Sequence, residues 1–182
     1  MVAVGVVSMV LASGLALVWW RLEGNIDRLD VSDMLGERPT PASEGPVNIL
    51  LIGSDTRDGQ GVPGASLSSG ARSDTTLLAH VSADREHVTV VSIPRDSMVE
   101  APPRCSASVP KDQWTVQQWN SLYSVGGPGC LINALEGDTG LFVDHFAVVD
   151  FSGFREMVDA LGGVPVCTPE GIDDPKAKIT LT

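Results

Sequence analysis

Basic residues are scarce in this chain. Twelve Lys and Arg stand against 23 Asp and Glu, a net charge of −11 over 182 residues. A nucleic-acid partner needs a basic face, so that class is excluded. Cysteine is limited to Cys105, Cys130 and Cys167 with no C-x-x-C, and His80, His87 and His145 are scattered, which argues against a zinc site. Internal repeats are absent. Charge is missing altogether from residues 1–20, MVAVGVVSMVLASGLALVWW. That run is long enough to span a bilayer core, and Trp19, Trp20 and Arg21 make an interfacial end. No basic segment precedes it and no A-x-A site follows, which places a membrane anchor over 1–21 ahead of a cleaved signal peptide. Arg21, Arg28 and Arg38 follow the span. By Lys and Arg alone the rest of the chain would stay in the cytoplasm, so an outward-facing domain implies a basic segment upstream of Met1.

Charge of both signs is concentrated instead in RSDTTLLAHVSADREHVTVVSIPRD, residues 72–96. Arg72 and Asp74 lie at one end, Arg95 and Asp96 at the other, with two β-branched runs between. Residues 74–82 and 87–93 are predicted strands, and Ala83-Asp84-Arg85-Glu86 the turn of a hairpin. A turn centred between Asp84 and Arg85 makes paired residue numbers sum to 169, which sets Asp74 opposite Arg95. Cross-strand partners lie roughly 5 Å apart at Cβ. Such a pair is also what an ordinary surface salt bridge looks like, worth under ~1 kcal/mol. A second feature points past that reading. The apolar run VNILLIG (47–53) ends in Ser54-Asp55-Thr56-Arg57-Asp58, and a buried strand ending in a Gly-acidic loop often presents a carboxylate to a ligand. Two carboxylates and two or three arginines at neighbouring strand ends suit a phosphate-bearing substrate with Mg²⁺.

Residues 22–46 are polar and contain RPTPASEGP, which reads as a stem or linker, leaving 47–182 as the main domain. In the Gly/Ser-rich stretch 58–71, Gly59, Gly61 and Gly64 match G-x-G-x-x-G. They lie six residues past their strand and surround Pro63, so they are no dinucleotide fingerprint. Residues 115–125 and 129–138 are predicted helices broken by Gly126-Gly127-Pro128-Gly129. A strand follows at 144–150. Ser152 is expected to cap a helix with Phe154, Met157, Val158 and Leu161 on one face, ended by Gly162-Gly163. Val164–Cys167 begins another predicted strand. Strands interleaved with helices, one hairpin among them, predict an α/β fold: a layered α/β/α arrangement around a central mixed β-sheet. Phe142, Phe146, Phe151 and Met157 could line an apolar groove, but at these spacings they are expected in the core.

The blocks GSDTR, RSDTTLL, VSIPRD, WNSLYSVGGPG and VDHFAVVDFSGFREMVDALGGVPVC, in that order, resemble the LytR-CpsA-Psr family of cell-wall glycopolymer ligases over about residues 46–182. Cysteines before and after the Gly-Gly block resemble its actinobacterial branch. The family's later block, resembling L-x-G-x-x-A-L-x-Y-x-R-x-R, does not occur in this chain. The resemblance implies phosphoryl transfer outside the membrane. A polyprenyl-pyrophosphate-linked glycopolymer donates its sugar-1-phosphate to a peptidoglycan hydroxyl. It also implies that Asp55 and Asp74 hold Mg²⁺ or Mn²⁺, that Arg72 and Arg95 clamp the pyrophosphate, and that Arg72, Asp74 and Arg95 are catalytic. Asp96 is expected to orient Arg95 or to cap a helix. Asn120 matches the family's asparagine as a substrate-binding residue, or is a helix-surface amide. Gln118 stands where the family usually has lysine. In an exported protein Cys105 and Cys130 are expected to form a disulfide, against the alternative of three reduced thiols. The setting implied is a single-pass membrane protein with its domain outside the cytoplasm. Two other readings are a pyrophosphatase using the same residues with water, and a membrane-bound regulator without catalysis.

Overall fold

The computed structural model describes residues 2–23, 28–42, 45–54, 73–167, 171–175 and 179–181. The apolar run at the start forms one helix, α1 (Val2–Glu23), of 22 residues, about 33 Å long at 1.5 Å per residue. Leu11, Leu15, Leu17, Val18, Trp19 and Trp20 are exposed around its circumference. Counting only residues whose side chains are described, no helix is long and apolar enough to cross a membrane. The anchor reading therefore rests on the sequence of the whole helix.

A four-stranded mixed sheet follows, in the order β3 (Val88–Ile93), β2 (Ser73–Val81), β1 (Val47–Ser54) and β6 (His145–Asp150). Strand β1 pairs antiparallel with β2 and parallel with β6. The expected α/β architecture with a central mixed sheet is what the chain forms. Strand β3 completes the hairpin with β2: Thr76 pairs with Ile93 and Val81 with Val88, the register predicted from the turn. Ser82 and His87 close the loop, with Ser82 N donating to His87 O at 2.9 Å. Arg85 takes a left-handed conformation, φ 63°, the strained position of a four-residue turn without glycine.

One face of β1 carries the core. Asn48, Leu50, Ile52 and Ser54 are buried in alternation, whereas Leu51 is exposed. Against this face packs α2 (Trp119–Thr139), burying Trp119, Leu122, Cys130, Leu131, Ala134 and Leu135. Each large apolar side chain so covered contributes about 1.5–3 kcal/mol. Gly126 (φ −143°) and Gly127 (φ 60°, ψ −153°) are non-helical, and Pro128 restarts the helix. Proline fits there, because the first helical position needs no intrahelical N–H partner. The predicted Gly-Gly-Pro break is thus a kink between two halves of α2. The first four residues of the helix predicted over 115–125 are instead a strand, β5 (Thr115–Gln118), pairing antiparallel with β4 (Met98–Ala101); β-branched Thr115 and Val116 suit a ladder better than a first helical turn.

Four further expectations change. Residues 28–42, read as a linker, are packed on the domain: Val31 is buried in the core, and Asn133 binds Gly36 N and Met34 O at 3.0 and 2.8 Å. The cap of α3 (Phe151–Ala160) is Asp150, which accepts from Gly153 N at 2.7 Å, while Ser152 Oγ donates to the same carboxylate. Asp150 keeps an extended backbone (φ −91°, ψ 175°) just ahead of the first turn, as a cap requires, whereas Ser152 is already helical. Residues 164–167 form no strand; β7 (Ile172–Asp174) and β8 (Ile179–Leu181) pair further on. Phe146 packs on the core and Phe142 lies under the Arg38 guanidinium at 3.8 Å, but Phe151 and Met157 are exposed. No described element covers the apolar side of α3.

Candidate active site at the open end of the hairpin

The pairing of β1 with β2 slips at its end. Gly53 pairs with Thr75 but Ser54 with Ser73, so Asp74 is the extra residue of a β-bulge. A bulge re-aims its side chain and often lies beside a site. Asp74 thereby meets Arg95 across the hairpin, Nη1 donating to Oδ1 at 3.1 Å, with side chains 35% and 56% exposed. The register anticipated this pair; nothing in the sequence signalled the bulge.

Arg95 sits in the turn Pro94–Ser97, closed by Ser97 N donating to Pro94 O at 3.0 Å. The turn is tied to α2 through its backbone. Asn120 N donates to Arg95 O at 3.0 Å and Trp119 N to Ser97 O at 2.8 Å, so carbonyls of the Arg95 turn satisfy amides that begin the helix. Trp119 is fully buried and its Nε1 donates to Thr76 Oγ1 at 2.9 Å. Arg95 Nε lies 3.7 Å from Asp96 Oδ2, and Gln118 Nε2 donates to Asp96 Oδ1 at 2.7 Å. Asp96 therefore faces Arg95 and caps no helix. Asn120 is buried, not a surface amide, in the first turn of α2. Asp55 and Arg72 lie outside the described residues.

Three polar residues that sequence reasoning did not single out lie beside this pair. Ser54 and Ser73 are buried partners across the bulge, and Tyr123 of α2 hydrogen-bonds Ser54. Burial pushes the Tyr123 phenol above its ordinary value; the Ser54 hydrogen bond opposes the shift, and the Asp150 charge adds to it. Among the described residues, Ser73 Oγ is the buried side-chain atom with no hydrogen-bond partner. Serine in a strand beside an acidic loop was the available signal, but hydroxyls are too common for it to stand out. The unpartnered Ser73 hydroxyl and the carboxylate of the following residue, Asp74, are both hard oxygen donors, a chemistry that fits Mg²⁺ or Mn²⁺ and does not suit softer metals. Behind the site Cys105 and Cys130 form a disulfide, Cα atoms 5.1 Å apart, linking the loop after β4 to the second half of α2; Cys167 is free.

Residues 24–182 match the model of the LytR_cpsA_psr family. The chain is 34% identical over 188 residues to the "Probable cell wall biosynthesis protein LcpB" of Corynebacterium glutamicum, covering 97% of this chain and 41% of that protein. It is 30% identical over 141 residues to the "Polyisoprenyl-teichoic acid--peptidoglycan teichoic acid transferase TagU" of Halalkalibacterium halodurans, covering 78% and 41%. The chain thus spans about two fifths of the length of these relatives. Among solved structures, B. subtilis TagV superposes with a TM-score of 0.57 at 23% identity, over 77% of this chain and 50% of that one. A structure of TagT bound to LI-WTA also superposes at 0.57, with 20% identity over 78% and 50%. At these identities the two structures speak to fold alone.

Proposed function

Because the chain belongs to the LytR-CpsA-Psr family, we propose that it works as a cell-wall glycopolymer transferase whose site is the bulged end of the β2–β3 hairpin. The observation that carries this is the Arg95–Asp74 pair, set on the bulge and fixed to the start of α2. The names of the relatives, cell-wall biosynthesis proteins and a teichoic acid transferase, support the substrate class. In the proposed reaction a peptidoglycan hydroxyl oxygen bonds to the sugar-side phosphorus of a polyprenyl-pyrophosphate-linked glycopolymer. The bridging P–O bond breaks, polyprenyl phosphate leaves, and the hydroxyl proton passes to solvent.

Arg95, with Arg72, which directly precedes β2 in the sequence, would grip the pyrophosphate oxygens through planar paired N–H groups. Asp74, with Asp55, which directly follows β1 in the sequence, would hold Mg²⁺ or Mn²⁺, whose charge offsets that of the pyrophosphate. Asn120, in the first turn of α2, would add a neutral donor to the substrate. The charge-free run of α1 supports anchoring in the cell membrane, and the disulfide supports a domain outside the cytoplasm, where such bonds persist.

The test is transfer of a lipid-linked glycopolymer to peptidoglycan, followed against Mg²⁺ concentration. Arg95→Lys keeps the charge but loses the fork, and is expected to lower transfer by roughly tenfold or more. Its melting temperature should barely move, since an exposed pair contributes under ~1 kcal/mol. Asp74→Asn is expected to shift the Mg²⁺ requirement upward, an amide being the poorer ligand. Normal activity in both, with a large loss of stability, would make the pair structural. Release of free glycopolymer phosphate and polyprenyl phosphate without polymer transfer would make water the acceptor.

A further inference from the structure

An arginine that is more than half exposed explores many rotamers unless something holds it, and a clamp on phosphate needs it held. Asp74 holds only one end of Arg95, at Nη1. The other end, Nε, faces Asp96 Oδ2 at 3.7 Å. Asp96 is 67% exposed on a turn and would itself swing freely were it not tied at Oδ1 by Gln118 Nε2 at 2.7 Å. Gln118 is the most firmly placed of these residues. It ends β5, where it pairs with Met98, its carbonyl accepts from Ser121 Oγ at 2.7 Å, and the next residue is buried Trp119.

We propose that Gln118 and Asp96 are positioning residues that hold the Arg95 guanidinium over Asp74. The assignment rests on the reading of this end of the hairpin as a pyrophosphate site. The chemistry of the pair suits the task. A side-chain amide donates a hydrogen bond without neutralising the carboxylate it binds, so Asp96 keeps its full charge for Arg95. A lysine at position 118 would share that charge. The order of rigidity runs from the β5–α2 junction through Gln118 and Asp96 to Arg95, so the exposed guanidinium inherits the placement of a buried helix start.

A carboxylate beside an anion site ordinarily repels the anion. Removing Asp96 as a mere surface charge would therefore raise affinity for pyrophosphate, whereas removing it as a positioning residue lowers affinity. That difference in sign is the test. Binding of inorganic pyrophosphate in the presence of Mg²⁺ is titrated calorimetrically for the full chain and for Asp96→Asn, Gln118→Leu and Gln118→Lys. Both Asp96→Asn and Gln118→Leu are expected to weaken binding about tenfold, the scale usual for groups that orient a ligand-binding side chain. Gln118→Lys should restore most of it, because an ammonium can still donate to Asp96. In an Arg95→Lys background Asp96→Asn should cause no further loss. Tighter binding in Asp96→Asn overturns the proposal.

A second readout needs no ligand. The Arg95 Nε–H resonance of ¹⁵N-labelled protein, assigned by its loss in Arg95→Lys, should be sharp in the wild type and broadened in Asp96→Asn and Gln118→Leu. An unchanged resonance in both variants also overturns the proposal. Wild-type protein that ignores pyrophosphate, with the broadening still seen in both variants, would sink the site reading and leave the positioning pair standing.

Discussion

At the scale of single residues, Tyr123 offers the cleanest titration in the molecule, because it is the chain's one tyrosine. Its phenol is pushed above the ordinary value of 10.0, first by burial and then by the Asp150 charge, with the Ser54 hydrogen bond opposing. The sign follows from proton counting. Between the unfolded and the folded value, the folded state holds the proton and the unfolded state has lost it. Stability is therefore fully present below pH 10 and declines as pH rises through the folded value. Ionising Tyr123 also breaks the buried arrangement around Ser54 and Ser73. The expected outcome is a phenolate absorbance transition displaced to higher pH in native protein and normal in urea. Tyr123→Phe should flatten the alkaline loss of stability. A native transition at the ordinary phenol value would show that water reaches Tyr123 and the bulge beside it.

At the scale of elements, two features decide how the site is held, and the sequence displayed them unequally. The hairpin was fully legible: its polar tetrad fixed a register that β2 and β3 follow, because a four-residue turn leaves no slack in the pairing. The kink was legible as a break, since Gly126-Gly127-Pro128 cannot continue a helix, but not as a bend within one packed element. Gly127 takes φ 60° and ψ −153°, a region open in practice to glycine alone, so Gly127→Ala is expected to cost about 1–3 kcal/mol in urea denaturation. The contribution of residues 28–42 was hidden, because Pro and charge in a segment look the same whether it is solvated or packed. What ties it down is a long-range pair. Arg38 donates to both carboxylate oxygens of buried Glu136, at 2.6–3.2 Å, and to Val143 O at 2.7 Å. Arg38→Met strands that carboxylate and should lower stability by about 3 kcal/mol. Adding Glu136→Leu should recover part of the loss. A neutral effect of Arg38→Met would return these residues to the status of a linker.

At the scale of the whole molecule, apolar surface is distributed unevenly. The face of the sheet toward α2 is filled, while the edge strand β3 and helix α3 leave apolar groups in water. Val88, Val90 and Val91 of β3 are all more than half exposed, as are Phe151, Phe154, Met157 and Leu161 along α3 and just past its end. The periodicity of α3 was read correctly from the sequence, but amphipathicity states only that a face seeks cover, not what supplies it. Asp55 and Arg72, which the family resemblance implicates, lie outside the described residues, so the site is legible on one side of β1 and β2 alone. Exposed apolar surface of this kind favours association, and an uncovered strand edge is a further route to it. The 182-residue chain, held in mild detergent for α1 and then moved to detergent too dilute to coat the domain, is expected to self-associate in sedimentation velocity. Phe154→Glu with Met157→Lys should reduce that association while circular dichroism keeps the helical content, because neither side chain is buried. If the double variant associates as before, Val90→Lys on the edge strand should suppress it instead, the charge opposing strand addition. A chain that stays monomeric without any of these changes would mean that α1 or the segments outside the described residues already cover the surface.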